Sequence, residues 1–410
     1  MKIIKGGVTA PKGFKAAGAH VGIKKAKKDL CLVESAVLAD FAGCFTTNRV
    51  KAAPVLWDME LAEKKSKIKG IVVSSGNANA CTGEQGVKDN FAMAKAFAEM
   101  AGVEVDNVLT CSTGVIGVPM PIDVITSGIK QVYPTLEGTE EASVLAAEAI
   151  MTTDTFMKTI AVEIEIDGKS VRLGGMAKGS GMIHPNMATL LSFVTTDAVI
   201  SRGLLEKALK NSSEDTYNMI SVDGDTSTND TLLILANGMA ENAEIQDDSE
   251  EYKTFKEALD YVNKKLAIDI VTDGEGATKL MEVKVSGAAS VCDARKIAKS
   301  VTSSSLFKAA LFGADANWGR VLCAMGYSEG VFNVENVDMT FRSNENDKTD
   351  EIILMKKSVP VPFDEEIAKR LLNRNKIYID INLSDGVAQA TAWGCDLTYD
   401  YVKINGDYRS

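Results

Sequence analysis

GGMAKGSGMIHPNMATLLSFVTTD, residues 174–197, changes character midway, from loop to strand. Up to Pro185 its composition is that of a loop: Gly174, Gly175, Gly179 and Gly181 supply backbone freedom, and Pro185 blocks a continuous helix. From Thr189 to Thr196 the run is apolar and β-branched, which suits a buried strand. A threonine therefore stands where a flexible segment meets the first position of a rigid element. A cut between Ala188 and Thr189 would leave it at a new N-terminus. A threonine hydroxyl is a poor nucleophile until a base takes its proton, and an N-terminal threonine can use its own α-amine. That amine has an ordinary pKa of about 7.7–8.0, close to working pH. The small Ala188 would let the Thr189 hydroxyl reach the preceding carbonyl. The same residues also suit a Gly-rich loop that merely enters a core strand, and taken alone they leave both readings open.

Bulk properties narrow the function classes. With 45% hydrophobic and 25% charged residues, the chain of 410 residues has the composition of a soluble globular protein of two or three structural units. No uncharged apolar run approaches the roughly 18 residues of a membrane span, and the start lacks the apolar core of a secretory signal, so a cytoplasmic protein is expected. A net charge of −11 argues against nucleic-acid binding. The short basic cluster KKAKK, Lys24 to Lys28, reads as solvated surface. Seven cysteines without a C-x-x-C pair fit reduced thiols. Only His20 and His184 are present, neither with a spaced partner, so no metal centre is expected. The same scarcity weighs against a histidine-based nucleophile, whereas the α-amine needs none. His184 is close enough to Thr189 to assist a cut; the plainer expectation is a hydrogen bond to nearby backbone.

Elsewhere strands and helices alternate. Leu30 to Phe45, Ile71 to Ser75 and Asn107 to Cys111 read as strands, with Ser112, Thr113 and Gly114 opening a turn. Helices are expected from Gly86 to Gly102, from Glu141 to Ile150 and from Ser201 through Leu209. A hairpin about Asp167-Gly168 leads into the loop carrying Lys178. SVDGDTSTNDT, 221–231, fails the EF-hand template at Thr228 and Ile234 and reads as a polar loop before a strand at 232–236. An amphipathic helix uses Phe255, Leu259, Val262 and Leu266. Strands follow at Ile268 to Val271 and Leu280 to Val285 around a Gly-rich turn carrying Glu275, then a helix from Ala294 to Ala310. A surface hairpin spans 343–351, and Ile377 to Leu383 alternates as a strand. There is no GxGxxG fingerprint, and the Gly-Lys-Ser order of a phosphate loop is absent from 174–180. The fold class is α/β, or α+β.

Several segments acquire meaning together. KGSGMIHPNMATLLSFVTTDA, TTNRVKAAPV (46–55), the Thr113-Gly114 pair, MTTDT (151–155), DGEGATK (273–279), ALFGADANWGR (310–320) and the final NGDYRS resemble the ornithine acetyltransferase family, also called glutamate N-acetyltransferase, over nearly the whole chain. The resemblance implies scission between Ala188 and Thr189, with Thr189 carrying the acyl group. It implies an oxyanion hole from the Thr113 hydroxyl and the Gly114 amide, where donors are worth about 2.7–4 kcal/mol each. Substrate contacts are implied at Thr152 (Thr153 its nearest competitor), Glu275, Asn405 and Ser410; the family often ends in threonine, and Ser410 keeps the hydroxyl. Lys178 would neutralise a substrate carboxylate, the alternative being a solvated loop lysine.

The implied fold has layered sheets flanked by helices, as in N-terminal-nucleophile ornithine acetyltransferases and aminopeptidases. Fragments 1–188 and 189–410 would be intertwined processing units, assembled as two copies of each. The implied reaction moves acetyl from N-acetylornithine to glutamate in arginine biosynthesis, without metal or organic cofactor; acetyl-CoA as a further co-substrate is left open by the absence of any nucleotide motif. Two alternatives stand beside it: a self-processing aminopeptidase or amidohydrolase with water as acceptor, and an unprocessed binding or scaffold protein.

Overall fold

The computed structural model describes residues 1–184, 190–345 and 348–406. The chain forms two compact units, residues 1–179, 185–217 and 226–270 in the first, and 180–184, 218–225 and 271–410 in the second. Both are mixed α/β, with sheets covered by helices.

In the first unit the strands are β1 (Lys2–Ile4), β2 (Phe14–Ala19), β3 (Leu30–Phe45), β4 (Ile68–Asn77), β5 (Val108–Val115), β6 (Lys158–Ile166), β7 (Lys169–Lys178), β8 (Leu191–Thr196) and, after β9 (Ile220–Ser221) of the second unit, β10 (Thr231–Ala236). The helices are α1 (Ala53–Glu63), α2 (Gly83–Ala101), α3 (Ile122–Val132), α4 (Glu140–Ile150), α5 (Arg202–Asp215) and α6 (Glu250–Thr272), the last running into the second unit. The strands make one sheet in the order β1-β6-β7-β8-β10-β3-β4-β5, with β2 also on β3. Strand β3 is long enough to serve twice. Residues 30–35 pair with β2, Leu30 to Glu34 with β4, and Asp40 to Phe45 with β10, with a register shift between Glu34 and Ala39.

Strand alternation builds the core. Leu30, Leu32 and Val72 face one way and pack with Phe97, Ile125 and Ile129 of α2 and α3. Cys31, Val33, Ile71 and Val73 face the other way, against Ala146 and Ile150 of α4 and Phe41, Phe193 and Leu233 of the sheet. Central strands β8 and β10 are buried at every position and accordingly show no alternation in sequence.

Three expectations are corrected here. Residues 174–178 are strand, not loop, because β7 continues antiparallel along β8 as far as Lys178↔Leu191. Gly174 and Gly175 are there for close approach: a Cβ at Gly174 would lie 1.9 Å from the Gly7 carbonyl oxygen, and one at Gly175 2.9 Å from Leu266. Ile268 to Val271 is not a strand but the end of α6, since Ile270 continues the Val262–Leu266 spacing into the core. The helix expected from Ala294 to Ala310 is broken at Ser304, which leaves helical geometry at ψ 102° and caps the next helix through the Phe307 N–H.

The second unit carries β11 (Leu280–Ala288), α7 (Val291–Ser303), α8 (Ser305–Phe312), α9 (Trp318–Gly326), β12 (Asp338–Glu345), β13 (Lys348–Lys356), β14 (Val359–Pro360), α10 (Glu365–Leu372), β15 (Lys376–Asn382), β16 (Ala388–Cys395) and α11 (Tyr399–Gly406). Its sheet order is β14-β13-β12-β15-β11-β16-β9. No described helix is long and apolar enough to cross a membrane.

Candidate active site

The first unit gathers polar groups at the ends of β4, β5 and β7. Ser112, Thr113 and Gly114 do not open a turn: they complete β5, which runs parallel to β4 with Ser75↔Thr113 and Gly76↔Gly114 in register. A hydrogen bond of 2.9 Å between the buried Ser74 and Ser112 hydroxyls ties the two ends. Gly114 has φ +134°, and a Cβ there would meet the Gly76 carbonyl carbon at 2.3 Å, so backbone rather than a yielding side chain excludes any other residue. Lys178, the last residue of β7, is 9% exposed, which rules out the solvated loop lysine. It donates to Thr113 Oγ1 at 3.3 Å. A cation, a hydroxyl and a glycine-only backbone position thus occupy one corner of the sheet.

Thr152 reaches this corner through its main chain. Its N–H donates to Asp154 at 2.9 Å, and the same carboxylate accepts from the Gly179 N–H at 2.7 Å and from Lys158 Nζ at 2.7 Å. Burial by itself would raise the Asp154 pKa, but the ammonium groups of Lys178 and Lys158 and the hydrogen bonds from Lys158 and Gly179 outweigh it and bring it down to about 2. Asp154 was not singled out by sequence; the one available signal was the lysine four positions on.

Lys24 was also missed. It is not solvated surface: it donates to the carbonyls of Met151 at 2.6 Å and Lys28 at 2.9 Å, while Lys25 and Lys27 are exposed. Its loop is wound around the buried Asp29, whose carboxylate takes the N–H groups of Val21, Gly22, Ile23 and Lys24. Burial, and the charge of Lys178 after the opposing pull of Asp29, lower the Lys24 pKa to about 8.

The second unit holds a separate constellation. Glu275, between two glycines in sequence, is no exposed turn residue: it is buried, and Asn405 Nδ2 donates to it at 2.7 Å. Its N–H donates to the Ser180 carbonyl at 3.0 Å, and the Ser180 hydroxyl to the Asp273 carbonyl at 2.5 Å. A Cβ on Gly181 would sit 2.3 Å from Glu275 Oε2, so this glycine leaves room for the carboxylate. Asn405 lies near the end of α11, and the Thr398 hydroxyl just before that helix donates to the Gly276 carbonyl at 2.7 Å. The arrangement offers a carboxylate to an ammonium ligand.

His184 Nδ1 is 3.0 Å from Ser221 Oγ. Burial, then the Lys299 charge, lower its pKa to about 4, leaving it neutral at pH 7. Within the polar loop expected at 221–231, Asp223 accepts from Met182 N at 2.6 Å and Ile183 N at 2.9 Å. Among the described residues no group of three or more His, Cys, Asp or Glu could hold a metal ion. Ala188, Thr189 and Ser410 lie outside the described residues. Of the remaining expected site residues, Thr113, Gly114, Lys178 and Thr152 come together in one unit, Glu275 and Asn405 in the other.

Compared with known proteins, residues 15–410 match the ArgJ family. The chain is 52% identical, over the full length of both, to the arginine biosynthesis bifunctional protein ArgJ of Caldanaerobacter subterraneus. It is 45% identical, again over the full length of both, to the protein of that name from Listeria monocytogenes. A crystal structure of the Bacillus halodurans protein of that name is 45% identical, with a TM-score of 0.49, covering 52% of this chain and 97% of that one.

Proposed function

The chain belongs to the ArgJ family, and from that premise we propose that it transfers acetyl from N-acetylornithine to glutamate by a two-step relay through Thr189. The chain first cuts itself between Ala188 and Thr189. The freed α-amine takes the Thr189 hydroxyl proton as Oγ attacks the acetyl carbonyl carbon. The amide C–N bond then breaks, the proton passes to the leaving amine, and ornithine departs from an acetyl ester on Thr189. Glutamate enters, its amine takes the acetyl group, and N-acetylglutamate leaves with the hydroxyl restored. The chemistry uses no metal or organic cofactor; acetyl-CoA as a second acetyl source belongs to the same proposal, as do a cytoplasmic setting and assembly from two copies of each fragment.

In this reading Thr113 and Gly114 stabilise the tetrahedral oxyanion. Lys178 meets the substrate carboxylate, Thr152 helps to position substrate, and Glu275 with Asn405 receives the ornithine side-chain ammonium; Ser410 closes on the substrate from the chain end. The observation that supports it best is the Lys178–Thr113 hydrogen bond beside Gly114. It brings together a cation and a hydroxyl, the kinds of group that an anionic substrate and a developing oxyanion call for. Residues 1–188 and 189–410 are then processing units, not domains.

Intact-mass measurement decides the matter. Two fragments dividing at Ala188–Thr189 are expected, and N-acetylornithine should add one acetyl group to the C-terminal fragment. Glutamate should then remove it as N-acetylglutamate. A single active chain of 43.8 kDa would refute the scheme, and release of the acetyl group only as acetate would point to a hydrolase.

A further inference from the structure

The loop before β10 carries two adjacent buried polar residues with no part in the mechanism above, Asn229 and Asp230. Asn229 Nδ2 donates to the Ala78 carbonyl at 2.6 Å and the Ser112 carbonyl at 2.8 Å. The Ser112 carbonyl belongs to the peptide that enters Thr113, so Asn229 holds the strand end bearing the proposed oxyanion donors. Asp230 reaches the other way. Its carboxyl takes hydrogen bonds from Ser227 and from the Leu190 N–H, and the Leu190 N–H belongs to the peptide that leaves Thr189. The next residue, Thr231, donates its N–H to the Leu190 carbonyl at 2.8 Å, so Leu190 is gripped on both sides. The loop itself is fixed by the Thr46 N–H on the Asp230 carbonyl at 3.0 Å.

Two neighbouring side chains thus grip one peptide on the oxyanion side and one on the nucleophile side. We propose that Asn229 and Asp230 are positioning residues that set the spacing between Thr189 and the Thr113–Gly114 pair, for chain scission and for acetyl transfer alike. The inference rests on the reading of Thr189 as the nucleophile. Among the described residues, Asp230 Oδ2 is buried without a hydrogen-bond partner, a costly arrangement that a residue kept only for stability would not need. Burial pushes the carboxyl well above the usual carboxylate range.

The test compares full-length Asp230→Ala, Asp230→Asn and Asn229→Ala, with Thr189→Ala alongside. Scission is followed on denaturing gels and transfer by steady-state kinetics with N-acetylornithine and glutamate. A displacement of about 1 Å at a reacting group costs on the order of 100-fold. Asp230→Ala and Asn229→Ala are therefore expected to slow scission and lower kcat by at least about tenfold, with KM within about twofold of wild type. Asp230→Asn keeps a side-chain oxygen acceptor at the same length and should stay within about threefold of wild type. The proposal is overturned if both alanine variants cut and turn over at wild-type rates, or if Asp230→Asn is as impaired as Asp230→Ala. Should Asp230→Ala not fold, Asn229→Ala decides: an unchanged kcat overturns the proposal. An active Thr189→Ala would sink the nucleophile reading itself. An inert Thr189→Ala beside normal Asn229 and Asp230 variants would sink only this inference.

Discussion

Asp154, to which no sequence pattern pointed, takes hydrogen bonds from Thr152, Lys158 and Gly179. It joins the Thr152 loop to the end of β7 and sits between two lysines. Its folded pKa of about 2 lies below the ordinary 3.8, so its stabilisation is fully present above the unfolded value and is lost as pH falls through the folded one. Asp154→Asn should therefore cost roughly 2 kcal/mol at pH 7. In urea unfolding, the gap to wild type should hold down to about pH 4 and close toward pH 2; a gap that does not depend on pH would refute the charge argument. Residues of this kind were invisible in sequence for a physical reason. Asp154, Asn229 and Asp230 sit in polar runs without periodicity, and the partners that tie them to the site, Gly179, Ser112 and Leu190, are distant in the chain. Glu275 and Asn405 entered the expected site only because their segments match a family; composition would have put Glu275 in an exposed turn, whereas it is buried and bonded to Asn405.

At the scale of elements, most of the strands and helices follow from periodicity, and two of the failures share one cause: local preference yielding to tertiary packing. Ile268 to Val271 is β-branched and reads as a strand, yet Ile270 lies fully buried on the face of α6 that Leu259, Val262 and Leu266 begin. Ile270→Ala should destabilise the protein by about 2–5 kcal/mol, the ordinary cost of emptying a core site. The readout is the urea midpoint at unchanged m-value, and a loss below about 1 kcal/mol would mean that the end of α6 is not packed as described. Strand β7 failed in the opposite sense. Four glycines between 174 and 181 look like flexibility, while Gly174 and Gly175 are rigid spacers against Gly7 and Leu266.

The sheet order of the first unit bears on the fate of a cut chain. Strands β8 and β10 follow residue 189, yet β7 lies on one side of the pair and β3 on the other. The proposed fragments would therefore share one hydrogen-bonded sheet and one core. They should separate on a denaturing gel but run as one species in native size-exclusion chromatography; fragments parting without denaturant would contradict the shared sheet. The division into units was not visible in composition: the second unit takes in 180–184 and 218–225 as well as the C-terminal part, and the glycines and Pro185 at the first crossing read as a loop entering a strand. The alternation of strands and helices gave the fold class but no strand order.

Lys178 and Leu191 are ladder partners. The strand ends on either side of the junction are thus fastened by cross-strand hydrogen bonds as well as by the peptide that joins them. Once β7 and β8 have paired, the fold should not need covalent continuity there. The gene should tolerate fission at that seam, two shorter reading frames yielding polypeptides that knit into the same body.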